Sequence, residues 1–325
     1  PIRSGGLGGA VRGVWRAMMS IPESRALLER HAPRAVLSIG GYAAGPISLA
    51  ARLKKIPLAL IEPNSVMGLA NRLTVPLVQR AYVAFPQAGR HFGGGTALTT
   101  GVPIRGGFEP RPFRRPGDGL EVLVLGGSQG AKSLNETVPA ALGRVGAKLR
   151  VTHQCGAAHA DGVLETYEKL GARFDWKVVP FIQDVPAALG AANLVISRAG
   201  ASAVSEIAAV GRPALFVPYP YAAGDHQRHN AETLARAGAA VSIAAQGATV
   251  ETIAAEVERL ATEPGLLEQM AAAAEQWGKP HAAAEIARDL LRLAGLALEA
   301  AGTTEPQRKQ EAPDDGAPRL AEVAG

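Results

Sequence analysis

Short apolar runs alternate with amphipathic stretches along most of the chain. Ala35–Ile39, Leu58–Ile61, Ala81–Ala84 and Thr96–Thr99 read as strands, with helices from the Gly40–Pro46 turn to about Lys54 and over Leu69–Gln79. A second set follows, with strands at Val122–Leu125, Leu149–His153, Lys177–Pro180, Leu194–Ser197, Ala214–Val217 and Ala240–Ile243. Helices are predicted between them at Ala131–Leu142, Asp161–Leu170, Val185–Leu189, Ser202–Val210, Gln227–Ala237 and Val250–Thr262. Unbroken apolar runs mark strands covered on both faces, and strand–helix alternation marks a parallel sheet, so the fold class is α/β with Rossmann-like sheets. Residues 106–119, GGFEPRPFRRPGDG, have the Gly, Pro and Arg content of a linker. Pro264–Leu298 is helical with a break near Gly278-Lys279-Pro280, and residues 302–325 are polar and Pro-rich, as in a disordered tail.

Composition narrows this picture. The 325 residues suffice for two α/β domains, and 47% hydrophobic content fits a soluble globular chain. One cysteine, Cys155, excludes an internal disulfide and a cysteine-cluster zinc site. No apolar run reaches 18 residues and the start lacks a signal-peptide core, which points to the cytoplasm. Charge is uneven: residues 1–115 hold 16 Lys/Arg against 4 Asp/Glu, a net of +12 in a chain whose total is +5. An anionic partner follows, either nucleic acid or an anionic membrane surface, with a merely solvated basic face as the third reading. Val11, Val14, Trp15, Met18 and Met19 recur near helical spacing beside Arg12 and Arg16, as in a helix on a bilayer surface or one packed on a core. The first residue is Pro1, which suggests a fragment or a processed product.

Two stretches carry candidate chemistry. EVLVLGGSQGAKSLN, Glu121–Asn135, runs from a strand through Gly126-Gly127-Ser128-Gln129-Gly130 into a helix. Free N–H groups and the helix dipole make such a turn an anion site, or it is a tight turn with no ligand. Arg198-Ala199-Gly200-Ala201-Ser202-Ala203-Val204-Ser205-Glu206 again follows a strand and opens a helix, with Glu206 one turn in. A carboxylate there suits two ribose hydroxyls, or else complements the dipole, and the pairing of the two stretches favours nucleotide binding. Asp225-His226-Gln227-Arg228-His229-Asn230 offers Asp, Gln and Asn to sugar hydroxyls, or a cap at Asp225; an i,i+3 His pair is too thin for a metal site. Tyr42 contacts a ligand or packs in its Gly-rich loop, the other histidines read as structural or surface groups, and Cys155 as core. No Gly-x-Ser-x-Gly elbow or Walker A lysine motif occurs.

SIGGYAAGP (38–46), EPNSVMGLANR (62–72), GVPIR (101–105), VLGGSQGAKSLN (124–135), FIQDV (181–185), SRAGASAVSEIAAVGRPALFVPYPYAAGDHQRHNA (197–231) and the adjoining AGAA run in one order along the chain. Together they resemble the MurG family, the bacterial undecaprenyldiphospho-muramoylpentapeptide β-N-acetylglucosaminyltransferases. The resemblance implies a GT-B fold, two Rossmann-like domains facing a cleft, with the last helix crossing back to the first. It implies a first domain over residues 1–105, a linker at 106–119, a donor domain at 120–279, a crossing helix at 280–301 and the tail beyond. It further implies an inverting transfer of N-acetylglucosamine from UDP-GlcNAc to lipid I, giving lipid II, with no cofactor and no metal. UDP-GlcNAc, lipid I, an anionic membrane surface and other cell-wall or division proteins become the partners, nucleic acid drops out, and the location becomes the cytoplasmic face of the inner membrane.

By matched position the donor would meet Ile182 at uracil, Glu206 at the ribose, and Ser128 with the backbone of Ala201, Ser202 and Ala203 at the diphosphate. Arg198, Gly200, Val204 and Ser205 complete that segment, Gln227 would fix the sugar, and Asn64 and Arg105 would reach in from the first domain. Gly40, Gly41 and Tyr42 would face the acceptor diphosphate. The family's opening strand and GGTGGH-type loop, which bears a favoured base histidine, have no counterpart here, so no catalytic base is assigned and a weakened first domain is expected. Ile61 replaces a common His or Gln, and Ala203 a common Thr. Other readings are a different GT-B UDP-sugar enzyme, such as a UDP-GlcNAc 2-epimerase, and a UDP-sugar-binding fragment without turnover.

Overall fold

The computed structural model describes residues 19–41, 44–127, 129–171 and 174–296. Tyr42, Ser128, the Val11–Met18 stripe and the 302–325 tail lie outside these, so the readings made for them have no structural counterpart here. The helix Ile21–His31 leads into a four-stranded parallel sheet, β1 Val36–Ser38, β2 Leu58–Glu62, β3 Arg80–Val83 and β4 Ala97–Thr99, paired in that order. Every residue of β2 is buried, as an unbroken apolar run requires. The helix expected over Leu69–Gln79 is shorter. It runs Leu69–Thr74 and tightens into a 3₁₀ turn at Val75–Leu77, because Pro76 has no N–H for a further helical bond.

Six parallel strands form the second sheet: β5 Leu120–Leu125, β6 Leu149–Gln154, β7 Asp175–Val179, β8 Leu194–Ser197, β9 Ala214–Phe216 and β10 Ala240–Ser242. Their spatial order is β10-β9-β8-β5-β6-β7. The order reverses between β5 and β8, so the loops leaving these adjacent strands flank a crevice at their carboxyl ends. Helices Lys132–Leu142, Ala160–Leu170 and Val250–Thr262 pack one core against this sheet. Inside it the His153 ring bonds Tyr167 Oη and Asn135 Oδ1, both at 3.1 Å, and burial pulls its pKa down to about 4. His153 is thus a neutral core group.

The two halves share an apolar cluster. Phe85, Val102 and Phe108 from the first half and the following segment pack with Val204, Ile207, Ala208 and Phe216 from the second. Residues 106–119 are strapped down rather than loose: Phe108 is 1% exposed, and the buried Arg212 and Asn193 hold backbone carbonyls of Arg111, Pro112 and Arg114.

The chain then returns. Helix Leu266–Trp277 ends at Gly278, and helix Ala282–Leu293 lies on the first sheet with Ile286 against Ala59, Ile61 and Tyr82. The path is narrow at Gly101, whose φ is +87° and where a Cβ would stand 2.6 Å from Lys279 Cβ. Tyr82 Oη donates to Asp289 at 2.9 Å, and Arg80 pairs with the same carboxylate at 2.8 Å. This is the GT-B arrangement, crossing helix included. Ile61, which replaces a polar residue of the resembled family, fills the seam under that helix.

Candidate active site

The nine-residue helix Ala201–Ala209 starts at the carboxyl end of β8. Its cap residue is Gly200 in extended backbone, and no side chain caps the helix. The N–H groups of Ala201, Ser202 and Ala203 are therefore left for a ligand, at the positive end of the dipole. A Cβ built on Gly200 meets no atom within 4 Å, so the space beside it is open. Val204 and Ser205 are buried behind this turn, and Ser205 Oγ has no hydrogen-bond partner.

Glu206 stands one turn further on. It is partly buried, and its carboxylate takes no hydrogen bond from any described residue. Burial holds the carboxyl above the usual range, while the Arg105 guanidinium opposes that shift. Arg105 extends from the end of the first half and lies over the Phe108 ring at 5.6 Å. Arg105 and Glu206, predicted site residues 101 positions apart, are thus near enough for their charges to interact, without forming an ion pair. A ribose contact through Glu206 needs the ionised form. Affinity for uridine, a probe with no titrating phosphate, is expected to fall as pH drops through the raised pKa, above the range where an ordinary glutamate protonates. Arg105→Ala is expected to move that midpoint higher still. A binding titration with uridine against pH measures both.

On the β5 side, the glycine turn is close-packed. Gly126 N–H donates to Gln154 O, and Gln154 Nε2 donates to Gly127 O, both at 2.9 Å. Gly130 has φ +75°, and a Cβ there would lie 2.1 Å from Cys155 O. Packing against the β6 end thus accounts for that glycine by itself, while Gly127 faces open space. Asn135 Nδ2 donates to Cys155 O at 2.9 Å, which fixes the helix start beneath the turn.

Arg198 ties the two turns together. Its Nη1 donates to Val217 O and Pro218 O at 2.9 and 3.0 Å, and its Nη2 to Ser133 Oγ at 2.6 Å. It stacks over Tyr219, and burial draws its pKa down. Most of its donors serve the protein, so it braces the crevice. Ile182 follows edge strand β7 and packs on the shared cluster, as do Ile104 and Ala201. Gln227 Oε1 accepts from Tyr219 N–H at 3.0 Å, leaving its amide NH₂ for a ligand.

The first half meets the crevice through β2. Buried Glu62 accepts from the N–H groups of Asn64 and Gly68 at 3.0 and 3.1 Å, and from Asn71 Nδ2 at 2.9 Å. That carboxylate shapes the whole 62–71 loop. Asn230, read from sequence as a possible sugar contact, is spent otherwise. Its Oδ1 accepts from Ser65 N–H and Ser65 Oγ at 2.9 Å, and its Nδ2 donates to Asn64 Oδ1 and Ala199 O at 3.3 and 3.2 Å. Fully buried, it latches one half to the other, and Asn64 belongs to that latch. Gly40, at φ +85°, approaches Asn71 Oδ1, and Gly41 faces solvent beside it. Ser65 escaped sequence reasoning because its partner, Asn230, comes from far along the chain, whereas Glu62 and Asn71 bond within one loop whose turn only the fold reveals. Asp225 supplies no side-chain cap and pairs with Arg228, while His226 bonds Ala223 O at 2.7 Å and His229 lies 3.6 Å from Glu232.

Comparison with known proteins shows the family. Residues 121–289 match the Glycosyltransferase family 28 C-terminal domain, and residues 1–83 its N-terminal domain. The UDP-N-acetylglucosamine–N-acetylmuramyl-(pentapeptide) pyrophosphoryl-undecaprenol N-acetylglucosamine transferase of Sorangium cellulosum is 50% identical over 297 residues, covering 90% of this chain and 73% of that protein. The MurG of Acinetobacter baumannii superposes with a TM-score of 0.76 at 33% identity, over 86% of this chain and 80% of that one. A UDP-GlcNAc 2-epimerase of Neisseria meningitidis, solved with UDP-GlcNAc, gives 0.59 at 15% identity over 90% and 83%, a likeness of fold alone.

Proposed function

The chain belongs to the MurG family of glycosyltransferases, and on that premise we propose that it transfers N-acetylglucosamine from UDP-GlcNAc to lipid I, forming lipid II. The observation that carries this reading is the meeting of three groups at one crevice: the uncapped start of helix Ala201–Ala209, the unpartnered Glu206 carboxylate, and Arg105 from the other half. Glu206 takes the ribose hydroxyls, Ile182 lies at uracil, and the Ala201–Ala203 N–H groups with the 126–130 turn, Ser128 included, hold the diphosphate. Gln227 fixes the sugar through its free amide. The lipid I hydroxyl attacks the anomeric carbon from the face opposite UDP and loses its proton as it does so. Negative charge then grows on the departing diphosphate, where the helix dipole and Arg105 stabilise it. These groups meet the charge without a cofactor, and turnover is expected to persist in EDTA.

The test is incubation with UDP-GlcNAc and a lipid I analogue. The reading expects a β-linked disaccharide product and free UDP. Epimerised sugar formed without acceptor would point instead to a UDP-GlcNAc epimerase, and donor binding without turnover to a binding fragment.

We further propose a peripheral seat on the anionic cytoplasmic face of the membrane. Ile39, Leu53, Leu69 and Leu73 are 61–74% exposed on the first half, interleaved with exposed Arg52, Lys55 and Arg72. Apolar side chains ringed by cations suit the boundary between headgroups and acyl chains. No helix among the described residues is long and apolar enough to cross a membrane. The double variant Leu69→Ser/Leu73→Ser is expected to bind vesicles of anionic lipid at least about tenfold more weakly in co-sedimentation, since each leucine contributes roughly 1.5–3 kcal/mol on burial. Unchanged sedimentation would remove this surface from the contact. Gly40, Gly41 and Tyr42 belong to the acceptor side of the same half, and cell-wall and division proteins remain proposed partners.

A further inference from the structure

A cavity of about 560 Å³ opens at the amino-terminal edge of the second sheet, where β5 and β6 begin, opposite the nucleotide crevice. Arg111, Arg114, Arg115 and Arg150 line it, with Glu121 the one acid among its walls. Two of these arginines are accounted for. Arg150 pairs with Glu121 at 2.5 Å, and Arg115 with Glu268 at 2.6 Å. The guanidinium groups of Arg111 and Arg114 have no carboxylate and no hydrogen-bond acceptor among the described residues.

These two side chains spring from a fixed backbone. Arg111 O accepts from the buried Arg212 at 2.9 Å, and Arg114 O from the buried Asn193 at 2.7 Å. Arg111 lies along helix Val185–Ala191, so close that a Cβ on Gly190 would stand 2.6 Å from Arg111 Cδ. Below it Arg212 is 1% exposed and bonded only to backbone carbonyls, so a further positive charge with no ion-paired acid sits under the cavity floor. Burial first, then Arg111, draw the Arg212 pKa down, against an opposing pull from the Glu275 carboxylate.

We infer that this cavity is a second anion site, taking a small phosphorylated molecule with a diphosphate group between Arg111 and Arg114. Guanidinium forks match phosphate oxygens in pairs, and a volume of this size lies in the range of small-molecule sites. The concave shape favours such a molecule over a flat bilayer. A bound diphosphate would join the strapped segment 106–119 to the start of the second sheet.

The test is calorimetric titration of the full chain with inorganic pyrophosphate in saturating UDP, which fills the donor crevice. One binding event that weakens with added salt is expected. It should weaken at least about tenfold in Arg111→Ala/Arg114→Ala, and persist in Arg288→Ala/Arg292→Ala, which removes equal charge at exposed positions elsewhere. No pyrophosphate binding in saturating UDP overturns the proposal. So does equal affinity in the 111/114 double variant, or equal loss in both double variants. Binding of anionic vesicles that depends on Arg111 and Arg114, without pyrophosphate binding, would make the cavity rim a membrane contact and overturn it too.

Discussion

Glu206→Ala is expected to weaken UDP binding by roughly 30- to 150-fold, or about 2–3 kcal/mol. The carboxylate accepts nothing from the described residues, so its two oxygens are open to two ribose hydroxyls. Hydrogen bonds to a charged group are worth about 1.5–3 kcal/mol each, and part of that is offset here because a partly buried carboxylate is desolvated in the free protein. Calorimetry with UDP and with its 2′,3′-dideoxy analogue separates this role from a general loss of structure. The wild-type chain should lose the same factor on moving to the analogue, and the variant should lose almost nothing further. An unchanged affinity for UDP in the variant would take Glu206 out of the ribose contact.

Arg212→Leu is expected to lower unfolding stability by about 3–5 kcal/mol, since several buried carbonyls lose their donor at once. The guanidinium spans carbonyls of Leu189, Gly190, Val210, Gly211, Arg111 and Pro112 at 2.9–3.3 Å. One flat group thereby closes the end of helix Val185–Ala191, the turn before β9 and the strapped segment. Arg212→Lys should recover little, because an ammonium has three donors on one atom and cannot cover that spread. Urea denaturation reads both variants, and a lysine variant near wild-type stability would show that charge, not the fork, carries the contact.

The central strands were legible as apolar runs, because cover on two faces leaves few polar positions; Leu194–Ser197 is buried at every residue, whereas the edge strand Asp175–Val179 is not, and the apolar pattern marked only its second half. The helix start at Gly200 was legible for a similar reason, since small residues after a strand announce an uncapped turn. Pro76 set the true end of its helix, and a reading guided by the apolar pattern ran past it. What stayed hidden were polar side chains whose partners come from far along the chain. Asn230 sits in a run that looks made for sugar hydroxyls, yet Ser65 and Ala199 take up its groups. Arg198 and Arg212 look alike in sequence, one beside the crevice and one beneath a cavity, and only the fold says which carbonyls each one holds.

The crossing helix Ala282–Leu293 sets a timetable. The sheet it covers is built from residues 36–99, but Ile286 and Asp289 reach it only after a long further stretch of chain has been made. Until then Ile61 and Tyr82 lack their cover. The second half can collapse first as it emerges, while the earlier-made half waits as a sticky intermediate for nearly two hundred residues of synthesis. Truncating before Ala282 should therefore leave nascent chains in need of a chaperone over the first sheet, although every strand of both sheets is present.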